Sequence, residues 1–337
     1  MKQPSINQKD IHQLFDDFNQ LNVLIIGDIM IDAYYFGKVD RISPEAPVPI
    51  VAVEKRENRL GGAANVALNV QALGGNPILC SAIGKDEDGA AFEHLLTSSQ
   101  LTAKGLIKLD NRVTTVKTRV IGNNHQLLRV DSETETLLNN QESNALFDVI
   151  KNVITTEKVD VVIFEDYDKG VITPTLIEKV VELCNNKNIP TTVDPKKKNF
   201  LAYKNVTLFK PNLKELREGL NLDIKTSDIN SIINALKLLH EELNPASTLI
   251  TLSEHGMLIF NTTSHQHIPA HIRNIADVSG AGDTVISVAS LCLALKQPNE
   301  VIAQIANLAG GLVCEKVGVV PIDKNILLKE TLNHLAE

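Results

Sequence analysis

Residues 277 to 283 read DVSGAGD. Three small residues, Gly280, Ala281 and Gly282, lead into Asp283 and then into an apolar run, TVISVASLCLAL. Small residues at a helix entrance let successive N–H groups converge on one point. The helix N-terminus adds partial positive charge there, so the place suits a phosphate or a developing anion. The carboxylate of Asp283 then has two readings. It is a helix-capping group, or it is a general base beside an anion site. The motif alone leaves both open.

Other stretches offer groups that such a site would need. In GDIMID, Asp28 and Asp32 fall just beyond an apolar strand, NVLIIG. Open α/β sheets bind ligands at that edge, where carboxylates accept hydrogen bonds from sugar hydroxyls. Loop solvation or capping is the competing role, above all for Asp32. In LGGAANVALN, Gly61 and Gly62 allow close backbone approach, and Asn65 offers both a donor and an acceptor. A tight turn with a helix cap explains the same residues. In KPNLKE, Asn212 and Glu215 are three apart and share a face if a helix begins there. Such a pair organises a hydrated Mg²⁺, held through water by Glu215, or it is a capping box. Lys117 and Arg119 alternate onto one strand face and are candidates to grip a substrate phosphate. The run DPKKKN reads as a solvated loop, and HQHIPAH lacks the acidic or cysteine neighbours of a metal site.

The elements that must position these groups alternate. Short apolar runs recur at 22–27, 77–84, 159–166, 189–195, 205–211, 247–253 and 256–260. Helix-patterned stretches lie at 8–21, 63–73, 88–99, 141–156, 174–187 and 228–243, and two more fill 282–317. That alternation predicts an α/β fold, a mostly parallel sheet with helices on both faces. Two regions break the rhythm. Residues 34 to 60 hold three prolines and several β-branched residues, and residues 112 to 130 alternate around GNN, a hairpin signal. Together they predict a small β-sheet lid. No repeat or linker divides the 337 residues, so they read as one domain.

Composition excludes several function classes. The net charge is −8, with a pI near 5.6, which disfavours nucleic acid and anionic membranes as partners. The polar N-terminus lacks a signal-peptide core, and the longest apolar run is too short for a bilayer. Four cysteines, Cys80, Cys184, Cys292 and Cys314, form no CxxC pair and read as buried free thiols of a cytoplasmic protein. No GxxxxGK[ST] loop occurs, and Gly27 is not followed by GxGxxG.

Taken together, GGAANVALNVQALGG and DVSGAGDTVIS resemble the two signature segments of the ribokinase-like (PfkB) sugar kinases. The order of first-strand Asp, GG…N, NxxE and GAGD also fits. The stretches RISPEAPVPIV, TTVKTRVIGNNHQLLRVD, FEDYDKGVIT, VDPKKKNF, FKPNLKE and TLSEHGM are similar to one branch, the D-glycero-β-D-manno-heptose-7-phosphate kinases of ADP-heptose synthesis. The resemblance covers roughly residues 20 to 330. It implies a Rossmann-like ribokinase fold with a β lid, often used for dimerisation. It implies Asp283 as the base for the sugar's attacking hydroxyl, and the N–H groups of Gly280, Ala281 and Gly282 as the anion site. Asn212, Glu215, Ser253 and Gly256 would serve ATP and Mg²⁺. Asp28, with Asp32, Gly61, Gly62 and Asn65 beside it, would meet the sugar, and Lys117 and Arg119 its phosphate.

The sequence departs from that branch in places. Many of its members carry a fused C-terminal nucleotidyltransferase domain, whereas this sequence ends at Glu337. A separate adenylyltransferase is therefore expected. Lys197 and Lys198 stand where a Gly and a small polar residue are usual, and Ser279 where Thr is commoner. The expected activity is phosphorylation of the anomeric hydroxyl of heptose 7-phosphate by MgATP, in a homodimer paired through the lid. The alternatives are a PfkB kinase of a hexose, phosphohexose or nucleoside, and a non-catalytic sugar-phosphate binder.

Overall fold

Runs of β-branched residues with no polar interruption form strands buried on both faces. NVLIIG is such a run: Val23 and Ile25 join the core on one side of the sheet, Leu24 and Ile26 the core on the other. The structure, a computed structural model, describes residues 7–225, 228–271 and 273–336. Its strands are β1 (Asn22–Gly27), β2 (Ile29–Ile42), β3 (Pro49–Gly62), β4 (Asn76–Gly84), β5 (Gly105–Leu109), β6 (Val116–Gly122), β7 (His125–Ser132), β8 (Val161–Glu165), β9 (Thr191–Asp194), β10 (Leu208–Phe209), β11 (Ser247–Thr251), β12 (Met257–Phe260) and β13 (His265–Ile268).

Nine of them form one sheet in the order β13-β12-β11-β10-β9-β8-β1-β4-β5. The run from β11 to β5 is parallel, and β12 and β13 add an antiparallel edge. The helices Ala63–Ala72, Ala281–Ala294 and Asn299–Val313 cover one face. Asn140–Thr156, Pro174–Asn186 and Ile229–Leu243 cover the other. The two cores need this wrapping because the parallel strands are apolar on both sides.

The lid is a second sheet, ordered β3-β2-β6-β7. β2 leaves the main sheet after a single residue, Asp28, so the lid is rooted beside the central strand. Its strands begin nearer the core than the proline-rich stretch suggested, at Ile29 and ending at Gly62. The GNN hairpin is present: Asn123 and Asn124 both have positive φ, 52° and 65°, as a type I′ turn demands. β7 is exposed along its whole length, and Leu128 and Val130 stand on one face of it at 57% and 52% exposure.

Some boundaries move. The strand expected over 205–211 shrinks to Leu208–Phe209, because Pro211 has no N–H for a ladder. The second C-terminal helix stops at Val313, ahead of the positive-φ Gly318. A closing helix, Lys324–Leu335, escapes the apolar pattern because its buried side is only Leu327, Thr331 and Leu335. All four cysteines are free and buried, and burial pushes Cys80, Cys184 and Cys292 up to about 12. Among the described residues, no helix is long and apolar enough to cross a membrane.

Candidate active site

Strand order reverses at β1, whose neighbours are β4 and β8, and crevices form outside the carboxyl ends of strands at such a point. This edge is loaded with charge. Asp28 follows β1, Glu165 ends β8, Asp194 ends β9 and Lys210 follows β10. The helix Ala281–Ala294 brings Asp283 to the same place.

The two readings of Asp283 now separate. The helix cap is Gly280, at φ 79°, and no side chain caps the helix. The carboxylate of Asp283 is buried and turned to other partners. Asn65 Nδ2 donates to Oδ2 at 2.6 Å, and the Tyr167 hydroxyl donates to Oδ1 at 2.9 Å. Burial raises the Asp283 pKa, while these two hydrogen bonds pull it down. The result is a carboxylate held in one orientation at a helix N-terminus, with its proton affinity above that of a solvated one.

Each partner is itself held. Asn69 Nδ2 donates to the Asn65 carbonyl at 2.9 Å, and Asn69 Oδ1 accepts from Thr284 Oγ1 and from Ile322 N, both at 3.0 Å. Tyr167 lies on a loop fixed by Asp28. The Asp28 carboxylate accepts from the backbone N–H of Tyr167, Lys169 and Val171 at 2.9, 3.1 and 3.0 Å. Desolvation, then the nearby Asp166, pushes the Asp28 carboxyl up to about 6, against those hydrogen bonds. Asp28 therefore does not present its carboxylate to a sugar: buried and bonded to three backbone donors, it anchors the loop that carries Tyr167.

Asp32 is buried as well, beside the GG turn. A Cβ on Gly61 would come within 2.4 Å of Asp32 Oδ2, so the first glycine of the GG turn is needed for this approach. Gly62, at φ 61°, begins the turn into Ala63, whose N–H donates to the Asp28 carbonyl at 2.9 Å. Arg119 Nη1 donates to Asp32 Oδ1 at 2.5 Å. Its guanidinium and that of Arg59 both lie over the Tyr34 ring, at 5.3 and 4.8 Å. Lys117 pairs with Asp131 and Glu133 at 3.3 and 3.0 Å. The two basic groups expected to grip a phosphate thus already have carboxylate partners.

For Asn212 and Glu215 the capping reading holds. They form a reciprocal capping box, with both bonds at 2.8 Å. That box uses Glu215 Oε2 and leaves Oε1 to the ammonium of Lys196 at 2.7 Å. Lys196 belongs to DPKKKN, so the solvated-loop reading fails for it. Asn199 of the same run is buried too, donating to Asp166 Oδ2 at 2.9 Å. Lys210 pairs with Asp194 at 2.7 Å, and both side chains are almost sealed. Glu165 is fully buried with neither carboxyl oxygen hydrogen-bonded. Burial first, then Asp194 and Asp283, push its pKa well up.

Ser253 and Gly256 lie at the short turn after β11, on the same carboxyl edge of the sheet, where Thr251 N donates to the Pro211 carbonyl at 3.1 Å beside Asn212. Gly256 is required there for packing, since a Cβ would lie 2.0 Å from the Ile268 carbonyl oxygen. In HQHIPAH, His267 Nε2 meets the His255 carbonyl at 2.7 Å. Tyr167, Lys196, Lys210, Asp194, Glu165 and Asn69 were not singled out by sequence reasoning. Their one common signal is position, since most follow an apolar strand directly.

Comparison with known proteins agrees with this architecture. The profile of the pfkB family carbohydrate kinases matches residues 20–325. A bifunctional protein HldE of Geobacter sulfurreducens is 36% identical over 314 residues, 93% of this chain and 63% of its own length. One from Aliarcobacter butzleri is 41% identical over 300 residues, 88% of this chain and 61% of its own length. The chain thus spans under two thirds of these relatives. Among solved structures, phosphofructokinase-2 from Escherichia coli in complex with potassium superposes with a TM-score of 0.76, at 18% identity, over 94% of this chain and 98% of that one. Arabidopsis thaliana ribokinase complexed with ribose and ATP gives 0.70, at 15% identity, over 92% and 99%. These likenesses show the same fold. With the profile matching nearly the whole chain and the GAGD aspartate set at the sheet's switch point, the chain belongs to the pfkB family of carbohydrate kinases.

Proposed function

We propose that this kinase transfers the γ-phosphoryl group of ATP to the anomeric hydroxyl of D-glycero-β-D-manno-heptose 7-phosphate. The observation that carries the transfer is the buried Asp283 carboxylate, oriented by Asn65 and Tyr167 beside the bare Gly280–Gly282 backbone. The hydroxyl oxygen forms a bond to the γ-phosphorus, the bond from that phosphorus to the β–γ bridging oxygen breaks, and ADP leaves. The hydroxyl proton passes to Asp283. The N–H groups of Gly280 and Gly282 would meet the charge gathered on the phosphoryl oxygens, that of Ala281 being taken up by the Val278 carbonyl at 3.3 Å, so catalysis is mainly positioning and charge stabilisation.

The heptose assignment is supported by the lid sequences RISPEAPVP and KTRVI, and by similarity to the HldE proteins. In this reading Asp32, next to Gly61, accepts the sugar hydroxyls, its proximity to the bare Gly61 backbone supporting that role. Arg119 and Lys117 meet the 7-phosphate by exchanging their carboxylate partners for it. Among the described residues, no group of three or more His, Cys, Asp or Glu is arranged to hold a metal directly. In this reading Glu215, beside Asn212, would hold Mg²⁺ through its waters once Lys196 leaves its Oε1. When bound, Mg²⁺ supplies positive charge to the β- and γ-phosphates.

The lid's outer face, with Leu128 and Val130 exposed, supports pairing of two copies through it. Light scattering should then give a dimer that L128E/V130E converts to monomer. A wild-type monomer would dismiss that assembly.

For the reaction, ADP release should be fastest with heptose 7-phosphate and much slower with unphosphorylated heptose, hexoses, hexose phosphates and nucleosides. Phosphorus NMR should place the new phosphate on the anomeric carbon. Faster turnover of a hexose phosphate or a nucleoside would replace the proposed substrate.

Turnover should fall on the acid side as Asp283 protonates. The Tyr167 hydroxyl holds the Asp283 pKa down, so Tyr167→Phe lets it rise and moves the acid limb of kcat to higher pH. An acid limb that stays in place would show that Tyr167 does not tune the base.

A further inference from the structure

DPKKKN places three lysines in a row, and the structure gives them different surroundings. Lys198 turns outward to Glu135, with nearly half its side chain exposed. Lys196 turns into the site. Its ammonium lies 2.7 Å from Glu215 Oε1, 3.3 Å from the Pro195 carbonyl and 3.5 Å from Asp194 Oδ1. It also sits 5.4 Å from the centre of the Tyr167 ring, whose hydroxyl donates to Asp283. One side chain therefore touches the NxxE glutamate and the tyrosine that orients the proposed base.

Lys210, the other cation here, differs in access. It is 2.7 Å from Asp194 Oδ2, its side chain is 3% exposed, and it lies beneath Gly282, 3.7 Å from where a Cβ would stand. Lys210 is the closer counter-ion of Asp194, at 2.7 Å against 3.5 Å for Lys196. Lys196 keeps 29% of its side chain exposed. It is the ammonium at this edge that an incoming ligand can reach.

The charge balance points the same way. Asp194, Glu215 and Asp283 are three carboxylates against the two ammonium groups. A triphosphate adds further negative charge, which a reachable ammonium at this edge would offset. An ammonium on a flexible stem can exchange a carboxylate for a phosphate oxygen without moving its backbone.

We propose that Lys196 is a catalytic residue of this kinase, leaving Glu215 to contact an oxygen of the terminal phosphoryl group of the bound nucleoside triphosphate. This rests on the phosphoryl-transfer reading above. Glu215 and Asp194 then act as positioning residues that park the ammonium beside the site until the nucleotide arrives. The bond changes are those already given; Lys196 forms and breaks no covalent bond, and stabilises charge on the phosphoryl oxygens as they separate from ADP.

The test uses the full chain with K196Q and K196R. Calorimetry measures the binding of AMP, ADP and ATP to each protein, and ADP release with the best sugar measures turnover. K196Q should bind AMP as the wild type does and ATP more weakly, and should lower kcat on the order of 10²-fold with little change in KM for the sugar. K196R, which keeps the charge, should recover part of both losses. Unchanged ATP affinity and kcat in K196Q overturn the proposal. Equal weakening of AMP, ADP and ATP also overturns it, since that marks a structural role for Lys196. If the wild type phosphorylates no sugar, the phosphoryl-transfer reading fails, while the comparison of AMP with ATP still decides whether Lys196 meets the terminal phosphate.

Discussion

A carboxylate taken out of water must be compensated or it will hold its proton. Asp283 is such a group, and much of the molecule near it answers to that constraint. Asn65 and Tyr167 each give it one hydrogen bond. Asn65 is steadied by Asn69, which also ties Thr284 and Ile322 to the same point. Tyr167 is steadied by a loop whose backbone is gathered by Asp28. A second buried acid thus serves the first at a distance.

The neighbouring strand ends follow the same physics. Asp194 is ionised because Lys210 and Lys196 hold it below the usual carboxylate range, against its own burial. Glu165, with neither carboxyl oxygen hydrogen-bonded, has its pKa pushed well up by burial. Charges of both signs therefore lie within one crevice, shielded from water on the sheet side. A low-dielectric crevice makes each of them count for more than it would in solution. That is the setting phosphoryl transfer needs, since the protein's part is to place charge rather than to form bonds.

The α/β alternation was legible because a strand buried on two faces must be largely apolar, as Val23–Ile26 and Val161–Phe164 are. The lid was legible from GNN, whose two asparagines adopt the positive φ that a tight hairpin turn requires. Asp283 was legible as a candidate, yet its role was ambiguous until Gly280 proved to be the cap. Asn212 and Glu215 were equally ambiguous; they form the capping box, and the second oxygen of Glu215 turns to Lys196. What stayed hidden depends on contacts far apart in the chain. A lysine in a run of three gives no sign that it will meet Glu215, and the acid of GDIMID gives no sign that it will collect three N–H groups from residues 167 to 171. Periodicity reports which face is buried. It does not report which polar partner arrives there from another element.

Asp283 as the proton acceptor is the central claim, and Asp283→Asn tests it most directly, because the amide keeps the size of the side chain while losing its basicity. Turnover and the dissociation constants of ATP and sugar should be measured on the same preparation. The account predicts a kcat lower on the order of 10²- to 10⁴-fold, with both dissociation constants within a few-fold of wild type. A variant that keeps its kcat would contradict it.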